Sequence, residues 1–279
     1  MMRRAFTLIE IIITVAITGI LSVGMFKAFE AITLRSEKAK ILSVLSIDSQ
    51  TALDQISILL YNRAPISVVG FNETDLRPYS PLSETVDKKI IEWYGLASES
   101  YLANNYSGFV DMNASSKPTL SSPNTDLAAV LATEQDKWGG SFALSDMVLI
   151  FSGSFDEGIR NDYNITASAV NTITLSGTLP DVIYEKYNLV DSAYAVTRKE
   201  DVSSCAKTSA YNNDTLLLFY NYRPWKNQSF CDGNVSVLAT NVNAFRAQTI
   251  NGTIRLAIDT NRTVRGGNPV RLSKQKVVF

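Results

Sequence analysis

The N-terminal 26 residues constrain the fold of this chain more than any other segment. An apolar run extends from Phe6 to Phe26, and Glu10 is its only charged residue. As an α-helix this run would be about 30 Å long, which matches the hydrocarbon thickness of a bilayer. Arg3 and Arg4 precede the run, so the positive-inside rule keeps the N-terminus in the cytoplasm and exports the rest of the chain. The sequence therefore predicts a single-pass membrane helix with an exported C-terminal portion.

The position of the small residue Ala5 distinguishes this segment from an ordinary secretory signal. A secretory signal carries its small-residue cleavage site after the apolar segment, whereas Ala5 comes before it. Cleavage between Ala5 and Phe6 would remove the basic leader, residues 1–5, and keep the membrane helix. Glu10 would then be the fifth residue of the mature chain and would lie in lipid, where an isolated carboxylate is costly. We expect its partner to be the α-ammonium group of a neighbouring subunit, which leader cleavage sets free.

Eight residues near the start of the chain make this pattern specific: Arg3-Arg4-Ala5-Phe6-Thr7-Leu8-Ile9-Glu10. With the apolar run behind them, they closely resemble the N-terminus of type IV prepilins and type II secretion pseudopilins. The resemblance implies that prepilin peptidase cuts after Ala5, that Phe6 is N-methylated, and that Glu10 is the assembly carboxylate. The family usually has glycine before the cut, and alanine is the next smallest residue. A plain signal anchor would explain the hydrophobicity and the arginines but would leave Glu10 unexplained.

The same resemblance implies a location and a set of partners. The chain would sit in the inner membrane through residues 6–26 with its head in the periplasm, and would later enter a pilus or pseudopilus. Its partners would be other pilins or pseudopilins, prepilin peptidase and the assembly platform of the inner membrane.

Helical periodicity continues beyond the apolar run. Apolar residues recur on one helical face at Leu42, Leu45, Ala52, Ile56 and Leu59. The first proline, Pro65, marks a helix end, so we expect one helix from about residue 6 to about residue 62. Residues 6–26 would be its transmembrane part, and residues 27–63 its exported amphipathic half.

Residues 64–279 predict a β-rich globular head. Prolines and polar stretches interrupt the chain as far as about residue 145, where we expect loops with short elements near 87–93 and 126–134. Beyond that point β-branched and alternating patterns predict strands at 147–151, 172–175, 193–198, 215–222, 235–238, 244–250, 253–259 and 270–279. Asn251–Gly252 is a strong hairpin signal between two of them. We expect an α+β fold, with a largely antiparallel sheet packed on the long helix as in pilins.

A weaker resemblance concerns the last third of the chain. Residues 237–246, a hairpin and the C-terminal Val277-Val278-Phe279 look like the closing strands of larger minor pilins, namely the J-type minor pseudopilin and the W-type minor type IV pilin. The mature length, 279 minus 5 or 274 residues, also suits a low-copy or tip subunit. A role in priming the filament or at its tip would follow. The alternative is a membrane-anchored adhesin outside any filament, and the sequence leaves secretion, twitching, DNA uptake and adhesion open.

Composition argues against an enzyme. The chain has no histidine, which excludes Ser-His-Asp and Cys-His sites and histidine-containing zinc sites. Ser204-Cys205-Ala206-Lys207 matches the S-x-x-K pattern, but its companion motifs are absent. The acidic residues between 156 and 162 fit no calcium-loop spacing, so a solvated turn is the favoured interpretation. We expect a non-enzymatic protein without metal or cofactor, and a net charge of −1 predicts no nucleic-acid partner.

Two patterns predict covalent modification of the head. Cys205 and Cys231 lie in the exported portion, where a disulfide between them is favoured. Four asparagines have an acidic residue two positions before and Ser or Thr two positions after, against roughly 0.3 expected by chance. They are Asn113, Asn164, Asn234 and Asn261. This pattern suggests the extended acceptor sequon of some bacterial oligosaccharyltransferases, with acidic turn composition as the alternative explanation.

Overall fold

The computed structural model describes residues 7–64, 67–71, 80–82, 86–152, 161–167, 169–202, 204–250, 253–265 and 269–279. The chain forms a long N-terminal helix, α1, and a head with two antiparallel sheets. Helix α1 spans Leu8–Tyr61, 54 residues or about 80 Å. The predicted α+β fold, a long apolar helix with an antiparallel β head, is confirmed.

The N-terminal half of α1 satisfies its own polar groups. The hydroxyls of Thr14, Thr18 and Ser22 each donate to the carbonyl oxygen four residues earlier, at 2.7 Å. Such internal bonds matter because a bilayer core offers no water to a free hydroxyl. These three hydroxyl residues are therefore compatible with lipid on all sides.

The C-terminal half of α1 docks onto the head. Its buried residues recur at helical spacing and are Leu45, Ser49, Ala52, Leu53, Ile56, Ser57 and Leu60. Leu42, which the periodicity places on the same face, remains exposed, because the packed interface begins one turn later at Leu45. Burial of these side chains, at roughly 1.5 to 3 kcal/mol for each large aliphatic one, anchors the helix.

The larger sheet has ten strands: β1 (Val69–Phe71), β2 (Ser80–Pro81), β3 (Ile90–Leu96), β4 (Thr119–Ser121), β5 (Val148–Phe151), β6 (Asp162–Ala167), β7 (Thr172–Ser176), β8 (Tyr187–Arg198), β9 (Leu216–Tyr222) and β10 (Asn234–Ala239). Their spatial order is β2-β1-β3-β8-β5-β6-β7-β4, with β9 and β10 branching from β8. Strand β8 pairs with β3 along one side, and along the other with β5 and then β9. It is buried over most of its length because both of its faces are covered.

Two short helices pack beside the larger sheet. Helix α2 spans Ser98–Leu102 and α3 spans Leu127–Trp138. Asp126 caps α3, since its carboxylate accepts hydrogen bonds from the N–H groups of Ala128 and Ala129. The apolar face of α3 joins a core shared with β5 and β8, so this helix covers the centre of the sheet.

The smaller sheet is a C-terminal meander of β11 (Val242–Ile250), β12 (Thr253–Thr263) and β13 (Pro269–Val278). Its inner face contributes Phe245, Leu256 and Ile258 to the core that buries α1. Lys276 adds an ion pair with Asp54 of the helix at 2.6 Å. The helix thus lies against this second sheet, an arrangement that the single sheet expected from sequence did not include.

All eight strands predicted from sequence are present. Strand β3 overlaps the short element expected near residues 87–93, whose type was left open. The strands that were not predicted are β1, β2, β4 and β6, and the first three of these have only two or three residues each. Asn251–Gly252 lie outside the described residues, although Ile250 and Thr253 pair directly across β11 and β12.

Candidate functional site

Glu10 lies in the first turn of α1 and is exposed. Its Oε2 atom is 3.4 Å from both the backbone nitrogen and the hydroxyl oxygen of Thr7. This arrangement is half of a capping box, in which the side chain of a glutamate three residues into a helix accepts a hydrogen bond from the residue that caps the helix. The spacing Thr7-x-x-Glu10, which is visible in the sequence, is the signal for this capping interaction.

The contacts between Glu10 and Thr7 are long for hydrogen bonds to a carboxylate, which ordinarily measure 2.7 to 2.9 Å. The carboxylate therefore keeps capacity for a stronger, charged partner. Ala5 and Phe6, the predicted cleavage residues, lie outside the described residues. Their assignment as processing residues, and that of Glu10 as the assembly carboxylate, remain predictions.

The segment after Glu10 is long and apolar enough to cross a bilayer. Helix α1 contains an 18-residue stretch of this kind, and none of that stretch is buried inside the described part of the protein. Large side chains such as Leu8, Ile20 and Met25 are more than two-thirds exposed. A core helix of a water-soluble protein would instead be covered by its own head.

Comparison with known proteins assigns this segment. The model of the prokaryotic N-terminal methylation motif matches residues 1–26. The chain carries the prepilin N-terminal motif. The match covers 26 of the 279 residues, so it shows that the N-terminus is similar to the N-termini of type IV prepilins and pseudopilins. No curated protein and no solved structure matches the chain significantly.

The prepilin motif covers the membrane segment and leaves the head to be understood from its own structure. Anchoring of the chain in a membrane follows from the motif and from the exposed apolar helix. Proteins that carry this motif are generally structural rather than enzymatic.

A second apolar stripe continues along α1 beyond the membrane segment. Val44, Ile47, Ile58 and Tyr61 are between 38% and 78% exposed. At 100° per residue they fall on the side of the helix opposite Leu45, Ile56 and the other buried residues. We call these four residues the outer stripe. Helix α1 therefore also carries exposed apolar side chains on the side that faces away from the head.

The disulfide predicted from sequence is present in the head. Cys205 and Cys231 are bonded, with their Cα atoms 5.1 Å apart. Lys207, the lysine of the S-x-x-K match, donates hydrogen bonds to the carbonyl oxygens of Asp232 and Gly233 at 2.6 and 2.8 Å. Its ammonium group thus holds two loops together beside the disulfide, and a nucleophilic role for Ser204 has no support from this geometry.

The four asparagines of the acidic sequons occupy different environments. Asn113, Asn164 and Asn234 are exposed, in a turn, in β6 and at the start of β10 respectively. Asn261 is half-buried in β12, where its amide donates to Asn243 at 3.3 Å. Glycosylation of these residues stays a prediction, best suited to the three exposed positions.

The acidic residues that precede these asparagines have structural roles of their own. Asp111 accepts a hydrogen bond of 3.0 Å from the backbone N–H two residues later. Asp232 accepts one of 2.7 Å from the N–H of Ser229, and Asp259 pairs with Arg246. Turn capping and strand pairing therefore explain three of the four acids without reference to an acceptor sequon.

A group of charged residues that the sequence did not reveal lies between α2, α3 and β8. Carboxylate oxygens of Glu99, Glu134 and Asp191 are within 4.8 Å of one another. The Lys137 ammonium group is 2.7 Å from both Glu99 and Asp191. Because this ammonium already supplies a cation among the carboxylates, we interpret the group as an ion-pair network. We call these four residues the carboxyl network.

Burial and charge perturb the groups of this network in opposite directions. Burial and the neighbouring Asp191 carboxylate raise the pKa of Glu134 to about 8. Burial lowers the pKa of Lys137, but its bonds to Asp191 and Glu99 outweigh that effect, so the pKa is raised and the ammonium stays charged. The network therefore contains one firmly held positive charge and one carboxyl group that favours its neutral form.

Proposed function

We propose that this protein is a minor pilin or minor pseudopilin, stored in the inner membrane and then assembled, in priming or at the tip of a type IV pilus or type II secretion pseudopilus. The observation that carries the proposal is the prepilin motif on a helix whose apolar surface finds no cover within the subunit. Such a surface is stable only in lipid or against other apolar helices.

The outer stripe supports assembly over a simple anchor. A membrane anchor needs apolar residues only within the bilayer, yet Ile58 and Tyr61 lie beside the head and remain exposed. In an assembled filament the same residues would be covered by neighbouring helices. We therefore assign residues 27–63 two contacts, one with the head of the same subunit and one with adjacent subunits.

The size of the head supports a terminal rather than a repetitive position. In the residues that the structure describes, the head holds two sheets with thirteen strands between them. A subunit within a filament is surrounded by other heads, whereas a subunit at the end has a free side. A head of this size is accommodated most easily at that end.

The adhesin alternative lacks an exposed aromatic platform built on tryptophan. Trp93 is fully buried, and Trp138 and Trp225 are half-buried. Trp138 donates to Asp191 at 2.9 Å, and Trp225 packs edge-on against Tyr94. These rings stabilise the head and offer little surface to a glycan.

The decisive experiment replaces the Glu10 carboxylate. Glu10→Gln should leave the chain in the membrane but lower its recovery in sheared filaments by at least about tenfold, the effect of about 1.4 kcal/mol at a subunit contact. An ion pair in a medium of low dielectric constant can readily supply that energy. Glu30→Gln, the same change at an exposed position further along α1, is the matched control.

Three outcomes distinguish assembly into a filament from a membrane-anchored adhesin. Equal recovery of wild type and Glu10→Gln in filaments would contradict the assembly role of Glu10. Pull-down of the wild-type chain from detergent without sibling pilins would contradict filament membership itself and favour the adhesin. Detection of the chain with its sibling pilins, combined with loss of recovery for Glu10→Gln, supports the proposal.

A further inference from the structure

The carboxyl network contains two buried oxygens without a partner. Glu134 and Asp191 are both completely buried. Glu134 Oε1 accepts from the Ser100 hydroxyl at 2.6 Å, and Asp191 Oδ2 accepts from Lys137 and Trp138 at 2.7 and 2.9 Å. Within the described part of the chain, Glu134 Oε2 and Asp191 Oδ1 have no hydrogen-bond donor.

Two adjacent ionised carboxylates in the protein interior are strongly unfavourable, because each loses hydration and repels the other. A single proton removes both costs. When Glu134 is a carboxylic acid, its hydroxyl can donate to Asp191, because carboxyl oxygens of the two residues lie within 4.8 Å of each other and the side chains are within hydrogen-bonding reach. The charge of the Asp191 carboxylate is balanced by the Lys137 ammonium group.

We propose that the head holds one proton between Glu134 and Asp191 at neutral pH, and that release of this proton at alkaline pH loosens α3 from β8. This effect of proton release depends on the position of the pair, since Glu134 is on α3 and Asp191 is in β8, the central strand of the larger sheet. A repulsion created there acts directly between the helix and the sheet that it covers. The inference concerns the head alone and does not depend on the proposed filament role.

The surroundings of the pair favour the neutral acid. Charged and titratable groups face it from α2, α3, β8 and the adjoining loops: Glu99, Lys137, Asp191, Tyr194, Tyr106 and Arg223. Lys137 favours ionisation of Glu134, but burial and Asp191 outweigh it. The pKa of Glu134 is therefore raised from its ordinary value of 4.5 to about 8.

The sign of the effect on stability follows from proton binding. Between pH 4.5 and about 8 the folded head holds a proton on Glu134 that the unfolded chain does not. The contribution of this group is fully present below pH 4.5, falls as the pH rises, and is lost above about pH 8. Within that window the folding equilibrium constant should fall about tenfold per pH unit from this group alone.

The test uses the full-length protein in detergent micelles. Infrared spectra should show the C=O stretch of a protonated carboxyl group at pH 7, and this band should disappear as the pH is raised through about 8. Glu134→Gln should fold, because its amide can donate to Asp191 as the acid does, and should lack the band. Glu99→Gln, which changes the exposed carboxylate of the same network, should retain it.

Urea unfolding across the same pH range gives an independent measurement. The wild type should lose stability from pH 5 to pH 8, whereas Glu134→Gln should lack this component. A wild type without the infrared band at pH 6, or a band of undiminished intensity in Glu134→Gln, would overturn the proposal. So would a rise in the urea midpoint on adding Ca²⁺ that Glu134→Gln abolishes, because the pair would then be a cation site.

Discussion

The two faces of α1 allow one substitution to be tested in two environments. Ile56 is completely buried in the core formed by α1 and both sheets, whereas Ile58 is 65% exposed on the outer stripe. Changing either residue to alanine removes the same atoms and raises helix propensity by the same amount. Any difference between Ile56→Ala and Ile58→Ala therefore reports burial alone.

The structure sets the expected size of that difference. Truncation of a fully buried isoleucine to alanine costs about 2 to 5 kcal/mol, because hydrophobic burial is lost and a cavity remains. Truncation at an exposed position changes stability by about 0.5 kcal/mol or less. A loss of about 3 kcal/mol at Ile56 would lower the folding equilibrium constant by more than about a hundredfold.

Urea titration of the full-length protein in micelles provides the assay, with tryptophan fluorescence as the signal. Trp93 belongs to the same core as Ile56, so its emission should follow unfolding of the region that is perturbed. Ile56→Ala should move the midpoint to clearly lower urea, and Ile58→Ala should leave it close to wild type. Equal shifts for the two variants would refute the assignment of the two faces.

The remaining predictions concern the disulfide and the cap of α3. Replacing both Cys205 and Cys231 with serine should lower the free energy of unfolding by about 2 to 5 kcal/mol, seen as a lower urea midpoint. A reductant should bring the wild type to the same midpoint. A double variant with the wild-type midpoint would show that the bond does not stabilise the head. Asp126→Ala should cost about 0.5 to 2 kcal/mol by removing the N-cap. Asp136→Ala, at an exposed position near the negative end of the same helix, should be neutral or slightly stabilising, and equal losses for both would argue against capping.

The parts of the fold that sequence predicted best are those with a long or regular pattern. Helix α1 follows from its apolar run, its periodicity and the proline after it. The short strands β1, β2 and β4 were not predicted, since two or three residues cannot show a period of two. Strand β8 was predicted to begin at residue 193 but begins at Tyr187, because the polar Asp191 and Ser192 interrupt the apolar pattern.

The division of the head into two sheets depends on contacts that are distant in sequence. The meander of β11 to β13 is local and was predicted strand by strand. Its separation from the larger sheet and its contact with α1 are set by side chains such as Lys276. This lysine forms an ion pair with Asp54, although the two residues are far apart in the sequence. Periodicity identifies strands but does not state which element each one contacts.

The candidate sites also differ in how much of them can be predicted from sequence. The prepilin motif is contiguous, so Ala5, Phe6 and Glu10 could be nominated from sequence alone. The carboxyl network joins residues from α2, α3 and β8 that share no motif. The fold brings Glu134 and Asp191 together. Their burial then favours a single proton shared between the two carboxyl groups.

The position of Leu45, the first buried residue of α1, has a mechanical consequence. The helix before it, residues 8–44, is about 55 Å long, and a bilayer takes up about 30 Å of that length. About 25 Å of helix therefore lies between the bilayer and the head, and none of its residues is buried by the described part of the chain. Isolated helices of this length have little stability of their own. The part of α1 between the bilayer and Leu45 is therefore where the chain bends most easily. The head could then tilt above the membrane and sample several orientations, and in the proposed filament neighbouring subunits would fix one of them.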